Sequence, residues 1–153
     1  MRKRILILGG TTEANALARA LAERIDLDVV LSLAGRTETP ARPPIPHRIG
    51  GFGGVDGLID YLTSQSIRGV IDATHPFAAQ MTRHAADACD RLDIPRLIFT
   101  RPAWNPVEGD QWQCVASVDE AVKALGEKPK RVFLTVGRLS LGAFRRDDHH
   151  FYL

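Results

Sequence analysis

Gly9-Gly10-Thr11-Thr12-Glu13-Ala14 follows the apolar run Ile5-Leu6-Ile7-Leu8 and opens a helical pattern. Glycine lets a chain turn tightly and lets a ligand approach the backbone. The helix that follows offers unpaired N–H groups and a positive dipole end to a phosphate. Thr11 or Thr12 can cap that helix or hydrogen-bond a phosphate oxygen. The pattern is not Gly-x-Gly-x-x-Gly, because the glycines are adjacent. Ala14 stands in for the third glycine as the small residue for close packing. Taken alone, the turn suits a plain strand–helix junction as well as it suits a bound nucleotide. A carboxylate repels pyrophosphate, so the expected partner of Glu13 is a ribose hydroxyl or the backbone.

Four more segments carry polar groups at positions of the same kind. Ser32-Leu33-Ala34-Gly35-Arg36 has no acid to take a ribose 2′-hydroxyl. The fork and charge of Arg36 suit a 2′-phosphate, which favours NADP over NAD if a dinucleotide binds. A solvated loop arginine is the equal alternative. In Asp72-Ala73-Thr74-His75-Pro76-Phe77, Thr74 and His75 can meet a cofactor or a substrate. His75 is the candidate proton donor, because imidazole titrates near neutral pH. The alternative is a turn that caps a helix opened by Pro76, with Asp72 fixing the loop. Arg101-Pro102-Ala103-Trp104 can hold a flat anionic ligand by charge and stacking, or Trp104 can cover the core edge. Thr135-Val136-Gly137-Arg138 repeats the strand–glycine logic.

Other chemistries are disfavoured. His47, His84 and His149-His150 show no zinc spacing, so no metal site is expected. There is no phosphate-loop Gly-x-x-x-x-Gly-Lys and no Gly-x-Ser-x-Gly nucleophile elbow. Tyr61 has Gln65 four positions on, so a Tyr-x-x-x-Lys pair is missing there. With neither nucleophile nor metal, a cofactor must carry the chemistry.

The positioning elements follow from periodicity. Strands are expected at 4–8, 27–33, 47–49, 69–72, 96–100, 114–116 and 131–135. Helices are expected at 12–24, at 56–65, from Pro76 to Leu92, and from Ser117 to Leu125. The third of these should bury a stripe of Phe77, Met81, Ala85, Ala88, Cys89 and Leu92. Ser117 and Glu120 form a capping-box pair. Residues 34–46 hold four prolines and read as a loop. Such alternation means an α/β fold, a doubly wound parallel sheet with helices on both faces and right-handed crossovers. Ligands then bind beyond the carboxyl ends of the strands.

The 153 residues suggest one domain, with a candidate boundary from Gly126 to Lys130. Phe151-Tyr152-Leu153 reads as a strand only beginning, so the natural protein is expected to continue. Apolar residues are 44% and charged residues 25%, with a net charge of +2. So small an excess argues against a nucleic-acid partner. No apolar run approaches the ~18 residues that span a bilayer. Cys89 and Cys114 fit no disulfide framework, which points to a reduced, cytoplasmic protein. The oligomeric state is not legible.

Together, Gly9–Ala14, Ser32–Arg36, Gly50-Gly51-Phe52-Gly53-Gly54 with Gly57-Leu58, Asp72–Ala78, Arg101–Trp104 and Leu134–Arg138 resemble the precorrin-6A reductase family of cobalamin biosynthesis. The resemblance runs from Ile5 to about Phe144, and Asp72-Ala73-Thr74-His75-Pro76-Phe77-Ala78 is its most telling run. It implies NADPH-dependent reduction of one macrocycle double bond of precorrin-6A, giving precorrin-6B. Hydride goes to one carbon and a proton to its neighbour. It implies two α/β halves: a Rossmann-like NADP-binding domain over 1–127, and a second half begun at 128–153 and mostly missing.

It also implies roles. Gly9, Gly10, Thr11, Thr12 and Glu13 would lie at the cofactor, with Ser32 and Gly35 beside the adenosine and Arg36 on the 2′-phosphate. Thr74 and His75 would sit near the nicotinamide or the ring. The substrate is a large apolar tetrapyrrole bearing many carboxylates. Phe77, Arg101, Trp104 and Arg138, with Arg145 and Arg146, are the residue types it needs. Water or a substrate carboxyl could supply the proton instead of His75. Two rival readings stand beside this one: a truncated nucleotide-binding module without turnover, and a reductase of the cobalt-containing precorrin-6A. A phosphoacceptor receiver is set aside, because Gly9 and Gly10 stand where its acids would be.

Overall fold

In the computed structural model, residues 2–35, 43–102, 104–145 and 150–153 are described. They fall into two compact units, Met1–Ala103 and Trp104–Leu153. In the first, the aliphatic run forms β1 (Lys3–Leu8). Leu6, Ile7 and Leu8 are all buried, so both faces of the strand are covered. That is the condition under which parallel strands are found. The other strands are β2 (Leu27–Leu33), β3 (His47–Ile49), β4 (Gly69–Asp72) and β5 (Arg96–Ile98). All pair in parallel, in the order β3-β2-β1-β4-β5. The order reverses between β1 and β4, which leaves a crevice at their carboxyl ends.

Successive side chains of a strand point to opposite faces, so Leu6 and Ile7 enter different cores. Ile7, Val29, Leu31 and Ala73 pack against Ala14 and Ala18 of α1 (Thr12–Ala22). Leu6, Leu8 and Val70 pack against Leu58 and Leu62 of α2 (Val55–Ser64) and Ala85, Ala88 and Cys89 of α3 (Ala79–Leu92). Burial pushes the Cys89 thiol up, which keeps it protonated and inert. The small residues on α1 and α3 let the helices sit close to the sheet. Gly57 does the same for the loop before α2: a Cβ there would stand 1.8 Å from the Phe52 carbonyl oxygen.

The second unit holds α4 (Val118–Leu125), β6 (Arg131–Val132), a 3-10 turn (Arg138–Ser140), α5 (Leu141–Phe144) and β7 (Phe151–Tyr152). β6 and β7 pair in parallel. The Ser117 hydroxyl accepts from the Glu120 amide at 3.1 Å, as the capping pair requires. The Glu120 carboxylate accepts from the Ala116 amide at 2.9 Å, one residue before the usual partner. His150 is buried, its Nδ1 accepting from the Lys130 amide at 3.1 Å and its Nε2 lying 2.9 Å from the Gly126 carbonyl.

Several expectations shift. The helix expected from Pro76 begins at Ala79, because a turn closed by the Ala78 amide on the His75 carbonyl precedes it. Phe77 is therefore 89% exposed and lies off the buried stripe. The expected strand 96–100 ends at Ile98 and 131–135 at Val132, while 114–116 forms no strand. The compact units divide after Ala103, whereas the sequence division was 1–127 and 128–153. The difference is α4, which packs on α5 and joins the second unit. Among the described residues no helix is long and apolar enough to cross a membrane.

Gly57→Ala should lower the unfolding free energy by about 2–3 kcal/mol, because the contact is with backbone that cannot swing aside. Urea denaturation measures this, and an unchanged midpoint would contradict the packing.

Candidate functional site

At the end of β1 the chain must leave the sheet and climb onto α1. The Gly9 amide donates to the Ser32 carbonyl at 2.9 Å, which continues the sheet ladder by one bond. A Cβ on Gly9 would meet Leu31 Cδ1 at 2.6 Å. Gly10 has φ +122°, a conformation other residues rarely adopt, and a Cβ there would enter open space. The adjacent glycines thus do different jobs: Gly9 lets β2 approach, and Gly10 makes the turn and leaves its backbone bare.

Thr11 is the N-cap of α1, its Oγ1 accepting from the Ala14 amide at 3.0 Å. The same hydroxyl donates to the Ala73 carbonyl at 2.8 Å. A hydroxyl has one proton, so Thr11 has none left for a phosphate oxygen. The Ala14 amide is taken by Thr11, so the groups left for an anion are the Thr12 amide, which has no partner within a helix, and the exposed Thr12 hydroxyl.

β4 supplies the opposite wall. The Ala73 amide donates to the Leu8 carbonyl at 2.9 Å. Asp72 is buried, and its Oδ1 accepts from both the amide (3.1 Å) and the hydroxyl (2.7 Å) of Thr74. Its Oδ2 is buried with no hydrogen-bond partner among the described residues. Asp72 therefore fixes the loop, as the sequence suggested. His75 is exposed, and its Nδ1 accepts from the Phe77 amide at 3.2 Å, which leaves the neutral ring's proton on Nε2. The two rings meet edge to face at 5.0 Å.

Glu13 and Arg101 differ from expectation by finding each other. Arg101 Nε and Nη2 donate to Glu13 Oε1 and Oε2 at 2.5 and 3.1 Å, a bidentate pair. Glu13 therefore accepts from a guanidinium as well as from its own backbone amide. Arg101, expected at the substrate, is engaged by an acid of its own chain. These bonds from Arg101 hold the Glu13 carboxyl below the usual carboxylate range, and its own amide and the nearby His75 act in the same direction. Glu13 in turn raises Arg101.

Next along the sheet, Ser32 is buried, and its hydroxyl accepts from Arg48 Nη1 at 2.8 Å. Arg48 also donates to the carbonyls of Gly50 and Gly51, at 2.8 and 2.9 Å. Its guanidinium lies 4.1 Å from the Phe52 ring centre and 5.2 Å from that of Tyr61. The sequence reading missed Arg48. A signal was present in an arginine two residues before Gly50-Gly51-Phe52, but nothing in the sequence says which carbonyls it faces. Gly35 has φ +74°, and a Cβ there would press on Ile49 Cγ2 at 3.0 Å. Arg36 and Arg146 lie outside the described residues.

The first unit therefore brings together Gly9, Gly10, Thr11, Thr12, Glu13, Thr74, His75 and Arg101 at the reversal of strand order. Phe77 stands exposed on the same loop as His75. Trp104 and Arg138 belong to the second unit, where Trp104 is 84% exposed and Arg138 starts the 3-10 turn.

The family model Precorrin-6x reductase CbiJ/CobK matches residues 4–153. The chain belongs to this family. The precorrin-6A reductase of Sinorhizobium sp is 49% identical over 99% of this chain and 58% of its own length. A solved structure, CobK precorrin-6A reductase, superposes with a TM-score of 0.92 at 48% identity, over 98% of this chain and 59% of that one. The cobalt-precorrin-6A reductase of Priestia megaterium is 28% identical over 92% of this chain. The chain thus spans less than two thirds of the length of the precorrin-6A reductases it matches.

Two outcomes follow from this geometry. Thr11→Ala should cost about 2 kcal/mol by losing both the helix cap and the bond to Ala73, and Thr11→Ser should recover most of it. Glu13 is depressed in the folded state, so its pair stabilises at neutral pH and fades as acid protonates the carboxylate. Acid titration of stability should therefore show a shallower loss in Glu13→Gln than in the parent.

Proposed function

We propose that this chain carries the cofactor half of an NADPH-dependent precorrin-6A reductase, an oxidoreductase of cobalamin biosynthesis that saturates one macrocycle double bond and yields precorrin-6B. The observation that carries the reading is the bare glycine turn where the strand order reverses, opening a helix whose first amide, that of Thr12, has no partner within the helix. NADPH fits these residues, because Gly10, at φ +122°, presents bare backbone to open space at the turn.

The amides after Gly10, with the Thr12 hydroxyl, would hold the pyrophosphate, while Thr11 shapes the turn. Ser32 and Gly35 would border the adenosine, and Arg36 would take the 2′-phosphate. Thr74 and His75 would border the nicotinamide. NADPH, when bound, supplies the hydride. The candidate proton donor is His75, which holds its proton at Nε2 because the Phe77 amide occupies Nδ1. Exposed Phe77 in the first unit, and exposed Trp104 and Arg138 in the second, are each of a type that suits a flat ring with a carboxylate rim. The metal-free substrate is favoured over its cobalt form by the greater likeness to precorrin-6A reductases. Free Cys89 and Cys114 suit a reducing cytoplasm.

Calorimetry with NADPH and NADH tests the reading. Arg36→Ala should weaken NADPH by about tenfold or more and leave NADH almost unchanged, as a lost charge-assisted phosphate contact requires. Equal weakening of both refutes the 2′-phosphate role. Loss of nicotinamide absorbance on adding precorrin-6A tests turnover, and binding without turnover supports a nucleotide-binding module instead.

A further inference from the structure

Glu13 raises a problem for a dinucleotide site. It lies in the first turn of α1, where a carboxylate is stabilised by the helix dipole. A pyrophosphate would need the same positive end. An uncompensated carboxylate there competes with the ligand for the dipole and repels it by Coulomb's law. Arg101 removes the problem. It follows β5, on the far side of β4 from β1, yet its guanidinium reaches Glu13 with two nitrogens on two oxygens. The side chain of Glu13 is only 29% exposed, so the pair is less screened than one in open water. The pair sums to zero charge, and the helix end and its amides keep their own positive potential.

We propose that Arg101 is the resident counter-ion of the nucleotide site, neutralising Glu13 so that the amino end of α1 accepts a pyrophosphate, and that it is a positioning residue and not a substrate ligand. This inference rests on the reading of an NADPH site above. The pair engages Nε and Nη2, so a substrate carboxylate that took those nitrogens would displace Glu13. Hydride transfer needs cofactor and substrate bound together, and an Arg101 drawn to a substrate carboxylate would release Glu13 against the pyrophosphate. The bidentate geometry also explains why arginine stands there, since lysine reaches a carboxylate as a point charge without the fork.

The test is a double-mutant cycle on the purified full-length protein, with NADPH affinity read by calorimetry and the KM for precorrin-6A read at saturating NADPH. Arg101→Gln should weaken NADPH by about tenfold, the scale of one uncompensated charge at a half-buried site. Glu13→Gln should bind NADPH at least as tightly as the parent. The double variant Glu13→Gln/Arg101→Gln should return to within about threefold of the parent, because neither charge is left unbalanced. The KM for precorrin-6A should stay unchanged throughout. Should Arg101→Gln fail to fold, Arg101→Lys and the double variant carry the comparison, with Arg101→Lys expected between parent and loss.

A raised KM for precorrin-6A with unchanged NADPH affinity in the Arg101 variants would overturn the proposal and make Arg101 a substrate ligand. A double variant as weak as Arg101→Gln alone would overturn it too, as would weaker NADPH binding by Glu13→Gln. A parent protein that binds no NADPH overturns the underlying reading. A parent that binds it, with Arg101→Gln binding equally well, overturns this inference alone.

Discussion

The hydroxyl of Thr11 ties the first unit together at the carboxyl ends of its strands. It accepts from the Ala14 amide and donates to the Ala73 carbonyl, joining the start of α1 to the loop after β4 across 62 positions of sequence. The neighbouring bond from the Ala73 amide to the Leu8 carbonyl draws the same two strand ends together. A parallel sheet splays its crossovers to opposite faces at a reversal of strand order, and a crevice there has no ladder to close it. Two hydrogen bonds set its floor instead. The bare turn at Gly10 and the Thr12 amide then become part of a shaped surface rather than a frayed helix end.

Charge is used around this floor mainly to hold backbone and neutralise acids. Asp72 holds Thr74 by two bonds, which sets the loop that carries His75 and Phe77. Arg48 spans Ser32, Gly50 and Gly51 and stacks over Phe52 and Tyr61, so a flexible glycine loop is anchored from beneath. A partly buried guanidinium needs such partners, because desolvation without them is costly. Glu13 and Arg101 cancel one another at the amino end of α1. The groups left without such partners at the turn are mostly backbone amide and small hydroxyl, the chemistry that the proposed phosphate-bearing cofactor would need.

Most of the first unit was legible in the residues. Ile5 to Leu8 could only be a doubly covered strand, and α1 carries its small residues on the face that meets it. Strong local preferences and global packing agree there, so the expected elements at 27–33, 47–49 and 69–72 have the observed bounds. The start of α3 was misplaced because Pro76 is an acceptable first-turn residue by local rules. The hold of Asp72 on Thr74 and the turn closed at Ala78 delay the helix, and both lie beyond what a helical period can show. The second unit was read less well, because its strands are two residues long and gain their pairing from distant sequence.

The sequence by itself determined the alternation of strand and helix, the adjacent glycines at the first turn and the small residues that let helices approach the sheet. These follow from local sterics and periodicity. Only the tertiary structure decided that Thr11 spends its proton on Ala73, that Glu13 and Arg101 neutralise each other, and that Arg48 donates to Ser32. Each of those outcomes depends on which distant groups share a few ångströms, and hydrogen bonds and ion pairs act only at that range.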